Sequence, residues 1–274
     1  MNRLFKIIRI VVGVIILLVV INFTRRIFIM DSFVVPKSAS MYPTLMYGDK
    51  VAVDKTLFGA RIYKSFDFKP GAGLESFRTR GSRKIRHNDV LIFNFPIHNG
   101  RIEFLINHVY AKRCIGIPGD SVSIVDGFYK CNNYDGIFGN RQNQEELRDY
   151  TYVIDTSLMQ TIPYNDQSDW NILNFGPVYV PRKGDVILID SINYPLYKRI
   201  ITYEDSTFSN RTCLYRFREN YYFVAGDNVA NSYDSRYWGF LPEEFIIGIA
   251  SKILYSKDRL NGKYRKERFM MNIE

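Results

Sequence analysis

Two serines lie two residues apart in Pro36-Lys37-Ser38-Ala39-Ser40-Met41-Tyr42-Pro43-Thr44-Leu45, and either could supply a nucleophile. A serine hydroxyl attacks a carbonyl only once a base takes its proton. The segment Tyr110-Ala111-Lys112-Arg113-Cys114-Ile115-Gly116-Ile117-Pro118-Gly119-Asp120 offers such a base, because Lys112 sits inside an apolar, strand-like run. Free lysine has a pKa of about 10.4 and is charged at neutral pH; a base needs it about 3 units lower, worth roughly 4 kcal/mol. The apolar neighbours Val109, Tyr110, Ala111, Ile115 and Ile117 work in that direction by disfavouring the ammonium form. Strand alternation sends Arg113 to the opposite side, where its charge would further disfavour a second cation nearby. A third segment, Gly226-Asp227-Asn228 followed by Asn231-Ser232-Tyr233-Asp234-Ser235-Arg236-Tyr237-Trp238-Gly239, holds more polar groups than a core needs between two apolar strands. Taken singly, each segment has a plain structural reading: a Ser-rich loop, a lysine snorkelling from an edge strand, a hydrogen-bonded turn.

Together the three segments resemble the type I signal peptidase, or leader peptidase, family. Residues 38–45 match its Ser-x-Ser-Met-x-Pro-Thr-Leu pattern, and residues 112–120 its Lys-Arg-x-x-Gly-x-Pro-Gly-Asp pattern. Residues 226–236 match its Gly-Asp-Asn-x-x-Asn-Ser-x-Asp-Ser-Arg pattern, and the order agrees. The resemblance runs from residue 1 to about 254, apart from 127–175. It implies a membrane-bound serine endopeptidase that removes signal peptides from exported preproteins, cutting after small residues. Ser40 is then the nucleophile and Lys112 the general base, a variant of the triad. Ser38 and the Ser40 backbone N–H would bind the oxyanion. Ser232 would orient Lys112, and Asp227, Asp234 and Arg236 would hold the loop in place. Val35, Pro36, Met41, Leu45 and Tyr110 would wall shallow apolar pockets, where an extended substrate adds a strand. No cofactor is implied. Two departures stand out. Ala39 replaces a glycine found in many members and would be strained if the position needs positive φ. Val229-Ala230 stands where many members have Arg-Asp, which removes any ion pair made there.

Competing chemistries are weaker. His87, His98 and His108 allow a Ser–His–Asp enzyme in principle, but no nucleophile-elbow pattern surrounds a serine. The endoplasmic-reticulum branch of the family has His where Lys112 stands, so Lys points to the bacterial or organellar branch. Self-cleaving repressors with a related Ser–Lys fold carry a DNA-binding helix pair, for which this sequence has no counterpart. The non-enzyme alternative is a membrane-tethered β-rich binding protein. Cys114, Cys131 and Cys213 form no Cys-x-x-Cys, and no His pair has zinc-ligand spacing, which argues against a metal site. An odd count leaves at least one free thiol; a Cys131–Cys213 bridge and buried inert thiols both stay open.

The elements that must position this chemistry begin with a membrane anchor. Leu4 to Phe23 is apolar apart from Lys6, Arg9 and Asn22, and about 20 such residues span a bilayer. Thr24, Arg25 and Arg26 follow instead of a small-residue cleavage site. Arg3, Lys6 and Arg9 before the span against Arg25 and Arg26 after it lean towards a cytoplasmic N-terminus and an extracytoplasmic body. With the resemblance, this places the chain in the bacterial cytoplasmic membrane as a single-pass protein. Beyond it, Gly48-Asp49, Gly119-Asp120 and Gly184-Asp185 each read as a turn entering a strand. Further strands are expected at Asp89 to Phe95, His108 to Ile117, Tyr221 to Ala225 and Ile246 to Leu254.

The expected fold is mainly β: an antiparallel catalytic sheet over 31–126 and 176–260, a β-rich insertion over 127–175, an anchor over 1–30 and a basic tail over 261–274. Aromatic residues at 15% favour strands. The net charge of +9 suits an anionic membrane surface or nucleic acid, and five basic residues between Arg78 and Arg86 form a candidate contact loop. No nucleic-acid motif accompanies them. The expected partners are preprotein signal peptides and the lipid bilayer.

Overall fold

Apolar residues without a polar face leave the first segment no reason to fold onto the body. In the computed structural model, which describes residues 2–65, 67, 74–150, 160–163, 169–209 and 212–274, Asn2–Phe28 forms one helix. Over Phe5–Phe28 its mean hydropathy reaches 2.7 and none of it is buried. It is the one helix among the described residues long and apolar enough, by length and composition, to cross a membrane. It leads through Ile29 directly into the edge strand Met30–Val34. Arg26 pairs with Asp31, and Lys55 donates to the Arg26 carbonyl at 2.7 Å.

The body is built on an eight-stranded antiparallel sheet. Its order is Met30–Val34, Asp49–Asp54, Ile246–Ser256, Val90–Asn94, Val109–Gly116, Tyr221–Ala225 and Leu241–Pro242, with Met271–Asn272 paired to Ile246–Ser256. The Gly-Asp turns each introduce a strand: Asp49–Asp54, Ser121–Val125 and Val186–Ile189. A smaller sheet orders Phe128–Cys131, Ser121–Val125 and Phe175–Tyr179. One apolar core joins the two, with Val122, Ile124, Tyr129 and Leu147 packed in the same cluster as Ile115 and Phe223. Under the serine segment a second cluster gathers Val35, Met41, Leu45, Val51, Val90 and Ile253.

The structure departs from the sequence expectations in several places. Within 127–175, Phe128–Cys131 and the start of Phe175–Tyr179 are strands, but Arg141–Tyr150 is a helix; residues 151–159 and 164–168 of that stretch lie outside the described residues. Asn140 caps the helix by accepting from the Asn143 N–H at 2.8 Å, and an Arg141–Glu145 pair supports it at i,i+4. A second helix, Tyr194–Glu204, opens on Pro195 and buries Tyr197, Ile200 and Ile201. The expected basic tail over 261–274 is tied to the body: Met271–Asn272 pairs with Ile246–Ser256, and Arg268 forms an ion pair with the buried Asp49. The basic loop is partly consumed by the fold. Arg78 donates to the carbonyls of Gly59 and Ile246, and Arg83 pairs with Asp89 at 2.7 Å. All three cysteines are free.

Candidate active site

The two neighbours of the strand Val109–Gly116 cover different parts of it. Val90–Asn94 matches it from Arg113 to Val109, whereas Tyr221–Ala225 meets it only from Gly116 to Arg113. Lys112 therefore stands where the second side opens. It is 2% exposed, and its Nζ donates to Ser232 Oγ at 3.1 Å. Burial lowers the amine from 10.5 to about 8. The Asp234 carboxylate opposes that shift, and the Arg236 guanidinium adds to it.

Arg113 takes the other direction. Its Nε and Nη2 grip both oxygens of Asp227 at 2.7 Å, and Nη1 reaches the carbonyls of Asn88 and Glu274. The expectation that Arg113 presses on Lys112 is thus corrected. Asp227 neutralises Arg113, and the cation that bears on the lysine is Arg236.

The serine segment is fastened to the same loop. The Ser40 carbonyl accepts from the Asn228 N–H at 3.1 Å. Thr44 Oγ1 donates to Asp227, and Arg268 Nη2 donates to the Thr44 carbonyl at 2.8 Å. Gly226 is needed for this approach: a Cβ there would lie 2.2 Å from Ser232 Oγ and 2.3 Å from the Ser40 carbonyl oxygen. One glycine thus faces the lysine's partner and the serine together. Ser38 Oγ accepts from the Ser40 N–H and donates to Ser40 Oγ, both at 3.3 Å. Ala39 carries no strain, because the non-glycine residues at positive φ are Asn88, Asn99, Asp126 and Met270 among the described residues.

Ser232 is carried by a turn with an ionic centre. Asp234 and Arg236 are both 0% exposed and meet at 2.8 Å. Burial alone would raise the Asp234 carboxyl, but the Arg236 guanidinium overrides it and holds the group below its usual value. Asp234 also accepts from the Gly226 N–H, and Ser235 Oγ from the Val224 N–H. Val229 packs into the core, which accounts for an apolar residue at that departure.

A groove of about 510 Å³ runs beside the serines. All five expected wall residues, Val35, Pro36, Met41, Leu45 and Tyr110, line it, together with Ser38 and Ser40. The sequence reading did not assign Phe33, His108, Val109 and Ala111 to this wall, although strand alternation beside Tyr110 points to some of them. His87 lies elsewhere, against Asp120, and no histidine of a Ser–His–Asp relay meets Ser40 among the described residues.

Asn143 is a positioning residue that sequence reasoning missed. From the helix Arg141–Tyr150 its amide donates to the Tyr42 carbonyl at 2.9 Å and to the Asp227 carbonyl at 2.7 Å. It thus clasps the serine segment to the loop that bears Ser232. Asn143→Ala is expected to lower kcat about tenfold, with KM changed less than about twofold, because alignment is lost and not contact with substrate. Steady-state kinetics on a peptide substrate check this.

The family model described as signal peptidase, peptidase S26 matches residues 7–255. The chain belongs to the peptidase S26 signal peptidase family. This S26 chain is a serine peptidase, and its relatives span most of its length. Signal peptidase I of Buchnera aphidicola is 30% identical over 249 residues, covering 86% of this chain and 72% of the relative. That of Rickettsia bellii is 30% identical over 250 residues, covering 88% and 71%. That of Aquifex aeolicus is 27% identical over 264 residues, covering 90% and 83%. Among solved structures, a signal peptidase I from Enterococcus faecalis is 20% identical with a TM-score of 0.32, covering 61% of this S26 chain and 97% of that one.

Proposed function

We propose that this S26 peptidase removes signal peptides from exported preproteins by a Ser40–Lys112 dyad. The observation that carries the reading is the buried Lys112 amine, lowered to about 8 and held by Ser232 Oγ at 3.1 Å, in a loop whose Gly226 faces Ser40. Neutral Lys112 takes the Ser40 proton as Oγ attacks the scissile carbonyl. The Ser38 hydroxyl and the Ser40 N–H, which engage each other now, turn to the oxyanion as it forms. Lys112 then returns the proton to the leaving amine, and water repeats the cycle on the acyl-enzyme.

The open edge at Val109–Lys112 offers unpaired backbone groups to an extended substrate. Val35, Met41 and Leu45 are buried beneath the groove, so its apolar floor suits small side chains near the cut. Helix Asn2–Phe28 is proposed as a single-pass anchor in the bacterial cytoplasmic membrane, with the catalytic body on the extracytoplasmic side. Its length and hydropathy support a membrane span, and three basic residues before it against two after it lean towards that orientation. Asp227 and the Asp234–Arg236 pair act as positioning groups. The bilayer and the preprotein signal peptide are the proposed partners, with no nucleic acid.

The test is processing of a purified preprotein by the full chain beside Ser40→Ala and Lys112→Ala. Mature product only with the unmodified chain supports the dyad. Equal processing by all three rejects it.

A further inference from the structure

We propose that His87, Asp120 and Cys131 bind a divalent transition-metal ion of the zinc class, which ties the smaller sheet to the catalytic one. His87 Nε2 lies 2.7 Å from Asp120 Oδ2 and 3.6 Å from Cys131 Sγ. The three ligand atoms all fall within 4.8 Å of one another. The geometry distinguishes this cluster from a proton relay. A Cys–His–Asp relay uses the two ring nitrogens separately, one for the thiol and one for the carboxylate. Here sulfur and carboxylate converge on the same nitrogen, which holds a single proton.

A tetrahedral zinc ion with ordinary bond lengths sets nitrogen and sulfur about 3.5 Å apart and nitrogen and oxygen about 3.4 Å apart. The His87–Cys131 separation already fits; the His87–Asp120 pair must open by about 0.7 Å. Charge also balances in a buried setting. Thiolate and carboxylate neutralise a dication, and the imidazole binds as the neutral ring. On binding, the thiol proton leaves to solvent and the ring proton moves to Nδ1. A ligand set of nitrogen, sulfur and oxygen suits zinc or cobalt, not magnesium or calcium.

The surroundings already orient the ligands. Asn133 holds Asp120 Oδ1 at 2.8 Å, and the Ile117 N–H holds Oδ2 at 2.8 Å. Tyr134 stacks on the His87 ring with centroids 4.8 Å apart. The ligands come from three segments: the loop before Val90–Asn94, the turn after Val109–Gly116 and the end of Phe128–Cys131. No short-range spacing in the sequence reveals them.

The test uses the full chain in detergent, stripped with a chelator and titrated with Co²⁺. One equivalent should bind with a sulfur-to-cobalt charge-transfer band, and Zn²⁺ should displace it. Zn²⁺ at about a hundredfold excess over its dissociation constant should raise the unfolding midpoint by roughly 5–10 °C. Cys131→Ser and His87→Gln should each lose the band, and Cys213→Ser should keep it. Should Cys131→Ser not fold, His87→Gln, which keeps every thiol, decides. No band and no zinc-dependent shift in the unmodified chain would overturn the site, as would a band that survives in Cys131→Ser or His87→Gln.

Discussion

Lys112→Met protein is expected to fold, to gain stability below pH 8 and to lose peptide-bond cleavage by on the order of 10⁴–10⁶-fold. The loss follows from removal of the proposed base while the groove and the oxyanion donors remain. The gain follows from linkage. The folded state holds the amine proton less tightly, at about 8, than the unfolded state at 10.5. Below pH 8 both states are protonated, and the folded one bears the whole cost of a buried charge, roughly 3 kcal/mol. Between about 8 and 10.5 the folded amine is neutral while the unfolded one is still charged, so stability rises with pH. Methionine carries no such cost at any pH. With Lys112 as the proposed base, the same titration is expected to govern catalysis in the unmodified chain: below about 8 the neutral fraction, and with it kcat/KM, falls tenfold per pH unit. A flat profile between pH 6 and 8, or a Met variant retaining more than about a hundredth of the activity, would remove Lys112 from this role.

The second large effect is structural. Arg236→Met leaves Asp234 0% exposed and without the guanidinium that holds its carboxyl low. Breaking a buried pair on one side costs about 3–5 kcal/mol, a midpoint shift of roughly 10 °C in a chain of this size. Activity should fall with stability, because Asp234 also accepts from Gly226, the glycine against Ser40 and Ser232. The double variant Asp234→Asn/Arg236→Met removes both charges and is expected to recover most of the stability. Thermal or urea unfolding of the unmodified chain, Arg236→Met, Asp234→Asn and the double variant gives the coupling directly. A single-variant cost below about 1 kcal/mol would mean that the pair contributes little to the loop.

The candidate site was legible because its residues sit in short, contiguous stretches. Ser38, Ser40, Lys112 and Ser232 were picked out as candidates by the resemblance of their segments to the signal peptidase motifs, and the strands followed from Gly-Asp turns and apolar runs. What stayed hidden depends on long-range contact or on patterns that mislead. Arg141–Tyr150 buries Gln144 and Leu147 and is otherwise largely polar, so it shows no apolar stripe; its caps and ion pairs make it a helix. Tyr194–Glu204 is rich in β-branched and aromatic residues, types that favour strands, and Pro195 at its first turn is its main helix signal. Arg268 looked like part of a basic end, yet its partner Asp49 is 219 positions away. Asn143 is an ordinary polar residue until the fold brings Tyr42 and Asp227 to it.

The join between Asn2–Phe28 and Met30–Val34 sets a distance. A single residue separates helix from strand, and Arg26, Asp31 and Lys55 brace the junction. With the helix in a bilayer as proposed, the five-residue strand acts as a rigid ruler of about 17 Å between lipid and the serine turn. Selection of the cleavage position then depends partly on how far a peptide emerges from the lipid, and not on its side chains alone.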